Sequence, residues 1–174
     1  MRPDISPKEL PMPKTRVIPE PFDADAFAPY GECFALRDMN GDRHEFAATM
    51  FNGRSHAELN VSVSRAKPQT ADFAVPALER HDASAQTFAP IVCGRWMVAV
   101  APTLPDGGPD FENLRAFIMD ETVGVCYAPN VWHHPFVCFD QPAEMLMLRW
   151  DDRTEADTTW ANAPDGVEVE VALP

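Results

Sequence analysis

Two short segments of the chain gather side chains that can move protons or hold a cation. Leu78-Glu-Arg-His81 is followed closely by Gln86, and Asn130-Val-Trp-His-His-Pro135 carries two adjacent imidazoles. On an extended chain alternate side chains share a face, so Glu79 and His81 point one way and Arg80 the other. For the same reason His133 and His134 face opposite sides, and only one of them can look into an enclosed site. Imidazoles titrate near neutral pH, so two of them at one point can take up and release a proton within one reaction. A carboxylate, imidazoles and a carboxamide oxygen are also donors for a divalent ion. Taken singly, each segment equally suits a surface ion pair or structural histidines packed by Trp132. Their chemistry depends on convergence.

The elements that must bring them together are mostly strands. Leu59-Asn-Val-Ser-Val-Ser64 alternates apolar and polar residues, the pattern of a half-buried strand. Trp96-Met-Val-Ala-Val100 is apolar throughout, as in a strand covered on both faces. Val125–Tyr127, Pro135–Phe139 and Met145–Trp150 are further strands, and Leu114–Met119 joins them because its neighbours are extended. Phe22-Asp-Ala-Asp-Ala-Phe27 places apolar residues at helical spacing after polar caps and stops near Pro29-Tyr-Gly31, which predicts one short helix and a turn. Pro102–Pro109, rich in Pro, Gly and Asp, is a loop. Many short strands without strand–helix alternation predict an all-β barrel or sandwich.

Composition bounds the function. The chain has 174 residues and 45% apolar content, which suits one domain with a sizeable core. Residues 1–21 hold six of the 18 prolines and are expected to be an extended lead-in, with a single catalytic domain over residues 22–174. Fourteen Lys+Arg against 27 Asp+Glu give a net charge of −13, which disfavours nucleic acid and anionic membranes as partners. An acidic protein that bound a small acid would have to concentrate a few arginines in one place. The apolar runs are too short to span a bilayer, and the N-terminal residues lack an apolar signal region, so a cytoplasmic location is expected. Cys33, Cys93, Cys126 and Cys138 show no paired spacing and are read as free thiols.

The Glu-x-His-x4-Gln segment followed by Gly124…Pro129…His134 resembles the two metal-site motifs of the cupin superfamily. In that comparison Glu79 stands where the first His would be, His81 is the second, Gln86 replaces a Glu, and His134 is the last. Such a quartet could hold a divalent ion such as Ni²⁺ or Mn²⁺; the same side chains could equally grip substrate groups with no metal. More narrowly, the chain resembles the ureidoglycolate lyases of allantoin degradation. The resemblance is carried by Phe27-Ala-Pro-Tyr-Gly31, Ser64-Arg-Ala-Lys-Pro68, Leu78–His81 with Gln86-Thr-Phe88, Leu114-Arg-Ala-Phe-Ile118 and, most specifically, Gly124-Val-Cys-Tyr-Ala-Pro-Asn-Val-Trp-His-His-Pro135.

The resemblance implies a cupin-type double-stranded β-barrel (jelly roll) with a few short helices, a homodimer, and a carbon–nitrogen lyase that splits ureidoglycolate into glyoxylate and urea. On this reading His81, His134 and Gln86 form the reacting centre, one imidazole acts as base, and Glu79 orients or ligates. Arg65 is the first choice to clamp the substrate carboxylate, with Arg54 and Arg115 next, and Tyr127 lines the pocket or packs the core. His133 is expected on the other face. The rival readings are a metal-dependent cupin enzyme acting on another small hydroxy acid, and a non-catalytic cupin that binds a small organic acid.

Overall fold

The computed structural model describes residues 14–36, 45, 50–154, 156–165 and 167–174. In chain order its first strands are β1 (Lys14–Val17), β2 (Glu20–Pro21), β3 (Gly31–Ala35), β4 (Glu58–Ala66) and β5 (Phe73–Ala74). Next come β6 (Ala77–His81), β7 (Gln86–Val92), β8 (Trp96–Ala101), β9 (Arg115–Met119) and β10 (Val123–Tyr127). The last four are β11 (Trp132–Cys138), β12 (Ala143–Asp151), β13 (Thr158–Asn162) and β14 (Glu168–Val171).

Two sheets face each other. One has the order β3-β10-β7-β12-β4 and the other β13-β6-β11-β8-β9-β2. Within them, β4-β12-β7-β10 and β6-β11-β8-β9 are interleaved along the chain, so successive strands repeatedly cross between sheets. That is the double Greek key of a jelly roll, and it confirms the expected all-β barrel. A third sheet, β1-β14-β5, covers the outer face of the six-stranded sheet.

This layering explains β8. Val98 and Val100 point into the barrel with Phe27, Phe117, Val125 and Tyr127, while Met97, Ala99 and Ala101 pack outward with Trp132, Val169 and Val171. Every residue of β8 is therefore buried. Fully burying an aliphatic or aromatic side chain contributes about 1.5–3 kcal/mol, so this doubly covered sheet is the rigid wall of the fold. Lys14–Val17, in the expected lead-in, pairs in parallel with β14 and closes the outer layer.

The short helix is α1 (Ala24–Phe27), capped by Asp23, whose Oδ1 accepts the Ala26 N–H at 2.9 Å. A 3-10 turn, Ala28–Tyr30, leads to Gly31 at φ 146°. A Cβ there would lie 2.1 Å from the Cys126 carbonyl oxygen, so only glycine lets the chain enter β3 this close to β10.

β4 departs from the usual polarity of a half-buried strand. Leu59, Val61 and Val63 face solvent, and the polar set Asn60, Ser62 and Ser64 lies on the inner side. The inner side at this end of the barrel is polar. All four cysteines are free thiols, and three of them are buried. Among the described residues no helix is long and apolar enough to cross a membrane.

Candidate active site

The two chemistry-bearing segments meet through strand register. His133 on β11 pairs directly with Glu79 on β6, and residues opposite each other in an antiparallel pair share a face. His81 lies two residues along from Glu79 and shares that face. The ligand atoms of Glu79, His81 and His133 all fall within 4.8 Å of one another. Gln86, at the start of β7 in the opposing sheet, brings its Oε1 to 3.1 Å from His133 Nε2. Glu79 Oε1 stands 3.5 Å from the same nitrogen.

Each group is held from behind. His133 Nδ1 donates to the Val131 carbonyl at 2.9 Å, and its ring stacks on Tyr127 at 4.3 Å between centroids. His81 Nδ1 lies 3.4 Å from the Thr158 hydroxyl, while its Nε2 is buried, turned inward and without a partner among the described residues. Asn130, at φ 65°, donates its N–H to the His81 carbonyl and its side-chain amide to the Asp82 carbonyl. Left-handed geometry suits an asparagine, so this turn ties the β10–β11 connection to the end of β6.

Burial works against charge here, but unequally. It pushes the His81 imidazole below its usual pKa, and the neighbouring His133 adds to the effect. Glu79 also loses water, yet the hydrogen bond with His133 and the positive charge of its neighbours outweigh that and hold its carboxyl below the usual range. Burial raises Tyr127 well above a free phenol, with Glu79 adding, so its hydroxyl, unpartnered among the described residues, stays protonated. The cluster thus offers an anionic carboxylate, a weakly basic imidazole, a second imidazole and a phenol as proton donor.

The structure corrects one expected ligand and three expected clamps. His134 does not converge with His81. Its Nδ1 donates to the Pro135 carbonyl at 2.7 Å and its ring lies 5.6 Å from Phe73, on the side facing the outer sheet. The inward imidazole is His133. A bulge between His134 and Val137 shifts the register, so Phe136 and Cys138 also face the barrel interior although their parity differs from that of His133.

Arg65 belongs to the outward set of β4 and is paired with Glu144 at 2.8 Å. Arg54 is buried against Asp152 at 2.9 Å and Asp157 at 3.1 Å, where it pins the segment after Met50 to the β12–β13 connection. Arg115 shares the inner face but is held by Glu20 at 2.8 Å and lies over the Phe117 ring. Arg80, on the outer face as expected, stacks on Trp132 at 4.6 Å.

The arginine that does face the cluster is Arg149, which the sequence reading did not single out. It pairs in register with Gln86 on one side and Asn60 on the other. Its signal was obscured because Met145-Leu-Met-Leu-Arg-Trp150 is apolar at both parities, so the phase of β12 cannot be read from the pattern.

Known proteins resemble this chain over most of its length. The ureidoglycolate lyase family profile matches residues 14–170. Ureidoglycolate lyase 1 of Rhizobium meliloti (strain 1021) is 31% identical over 137 residues, 74% of this chain and 79% of that protein. The ureidoglycolate lyase of Escherichia coli (strain K12 / DH10B) is 33% identical over 136 residues, 74% of this chain and 83% of that protein. That of Schizosaccharomyces pombe (strain 972 / ATCC 24843) is 25% identical over 172 residues, 84% and 90% of the two chains. Among solved structures, a dTDP sugar isomerase from Desulfovibrio desulfuricans G20 superimposes with a TM-score of 0.47 at 17% identity, covering 77% of this chain and 82% of that one. The profile spans both segments that build the cluster, and the chain belongs to the ureidoglycolate lyase family.

Proposed function

We propose that this chain cleaves ureidoglycolate to glyoxylate and urea at the Glu79–His81–His133 cluster. The observation that carries the reading is the convergence of two imidazoles, a carboxylate and a carboxamide from three strands, in a chain of this family. In the substrate one carbon bears a hydroxyl, a ureido nitrogen and a carboxylate. Cleavage removes the hydroxyl proton, turns that C–O into a carbonyl, and sends the C–N bonding electrons to the urea nitrogen. That nitrogen leaves poorly as an anion and must receive a proton as the bond breaks.

On this reading His81 Nε2 takes the hydroxyl proton, because burial favours the neutral ring and the nitrogen is aimed inward. His133, on the same reading, delivers the proton to the leaving nitrogen. Its Nδ1–H is committed to Val131, Glu79 and Gln86 face its Nε2, and Tyr127 fixes the ring plane. Proton transfer from a positioned side chain supplies about 10²–10⁴-fold in rate.

The donor set also fits a divalent ion. With Nδ1–H bound to a carbonyl, the His133 Nε2 lone pair meets two acceptor oxygens, a conflict that a proton or a shared cation resolves. A carbonyl-oriented imidazole is also the usual support of a metal ligand. Glu79, His81 and His133 would hold the ion, with Gln86 beside them, and a borderline ion such as Ni²⁺ or Mn²⁺ suits these donors. When bound, it would acidify the carbinol hydroxyl. Metal content and chelator sensitivity separate the two uses: an unchanged rate in chelator assigns proton transfer to His81, and a lost rate assigns it ligation.

On this reading the homodimer forms through the outer face of the five-stranded sheet. β4 is an edge strand whose outward side chains Leu59, Val61 and Val63 are exposed, next to Leu146 and Leu148 of β12 in register. A nine-residue edge strand with three exposed apolar side chains is normally covered, and a second copy of the chain is the occupant this reading assigns. Four free thiols suit the cytoplasm. The deciding test of activity is product analysis of purified protein supplied with ureidoglycolate.

A further inference from the structure

We infer that Arg149, with Ser62 beside it, forms the subsite that takes the substrate carboxylate, on the wall facing the histidine cluster. The inference rests on the proposed reaction only in taking the substrate to be a small hydroxy acid; the subsite itself stands on geometry.

Arg149 is the register partner of Gln86, so one strand spacing separates the guanidinium's strand from the residue that holds His133 across the barrel. Its fork is half engaged. Nη2 donates to Asp151 Oδ2 at 3.2 Å, and Asp151 is anchored in turn by Asn60 Nδ2 at 3.0 Å and the Arg153 N–H at 2.7 Å. Arg149 Nε is buried and has no acceptor among the described residues. Ser62 Oγ, two residues along β4 from the Asn60 that pairs with Arg149, is also buried without a partner.

Across the barrel His81 Nε2, and on Arg149's own sheet the Tyr127 hydroxyl beyond Gln86, are buried and likewise without a partner among the described residues. Buried polar groups without partners are costly, and these four come from facing walls of one interior. A ligand with two acceptor oxygens at one end and a hydroxyl one bond away satisfies both walls together. The carboxylate meets the Arg149 fork and the Ser62 hydroxyl, and the carbinol meets His81. Arg65, Arg80, Arg95 and Arg115 are each paired with a carboxylate away from this wall, and Arg54 is engaged by Asp152, Asp157 and the Trp150 carbonyl. The inward polar face of β4 thereby has a function: it lines the anionic end of the ligand.

The test pairs direct binding with kinetics, using the full-length protein. Glycolate serves as the probe in calorimetry with wild type, Arg149→Met, Arg149→Lys and Ser62→Ala. Glycolate is expected to bind Arg149→Met about 10- to 100-fold more weakly, the range of a lost charge-assisted hydrogen-bond pair, with Arg149→Lys in between. In steady-state cleavage KM should rise by a similar factor while kcat falls less. The neutral amide of ureidoglycolate, poor for wild type, should be discriminated against far less by Arg149→Met.

Glycolate binding and KM unchanged in Arg149→Met would overturn the subsite. Should Arg149→Met not fold, Arg149→Lys and Ser62→Ala decide: wild-type affinity in both contradicts the proposal. Wild type that binds glycolate through Arg149 yet releases no urea would instead sink the proposed reaction and leave the subsite standing.

Discussion

One imidazole separates the chemistry read from the sequence from the chemistry the fold assembles. His133 and His134 are adjacent, yet one is 1% exposed within the cluster and the other packs against Phe73 outside it. His133→Ala is therefore expected to lower turnover by about 100-fold or more, the scale of a lost proton-transfer group, and His134→Ala to leave most of it. Urea release under saturating substrate distinguishes them, and equal losses would mean that the strand phase is not what governs activity. The residue types were legible: Glu79, His81, Gln86 and a histidine of the pair were all singled out before any geometry. Which histidine was not, because the bulge at Pro135–Phe136 changes the parity within one strand and leaves no trace in an apolar pattern. Arg149 was hidden for a related reason, since both parities of β12 are apolar. The arginines that drew attention instead are tied up by acidic partners far away in the chain, which spacing does not reveal.

At the scale of elements, the sequence pattern served best where a strand is covered on both faces or alternates cleanly. β8 and the short helix α1 lie where their patterns put them. β4 has the expected alternation but presents its apolar side to solvent, because the barrel interior beside it is a polar site. Periodicity sets a strand's two faces apart without saying which one faces inward. The β3–β10 junction is specified more sharply. Gly31→Ala would place a methyl against the Cys126 carbonyl at a φ that side chains rarely adopt. We expect a loss of at least about 2 kcal/mol, read from the urea unfolding midpoint at unchanged slope. A shift within error would show that the turn relaxes without strain.

For the whole molecule, the five-stranded sheet presents an apolar outer face among the described residues, and the proposed dimer forms at its exposed edge strand. Val61→Lys should shift the protein toward monomer in light scattering at low micromolar concentration, with the cleavage site intact. A second global property follows from the Arg54 knot. Hydrogen bonds from Thr154 lower the Asp152 carboxyl to about 2, with His56 and Arg54 contributing. A carboxyl with a depressed folded pKa stabilises above its unfolded value near 3.9 and loses that contribution as pH falls towards its folded one. Wild-type stability should therefore decline between about pH 4 and 2, and Asp152→Asn should show a shallower decline over that interval. Most direct of all is the stoichiometry of products when purified wild-type protein meets ureidoglycolate. Equal amounts of urea and glyoxylate, with no ammonia, are expected; ammonia in their place, or no turnover with metal supplied and without, would contradict carbon–nitrogen cleavage at the Glu79–His81–His133 centre.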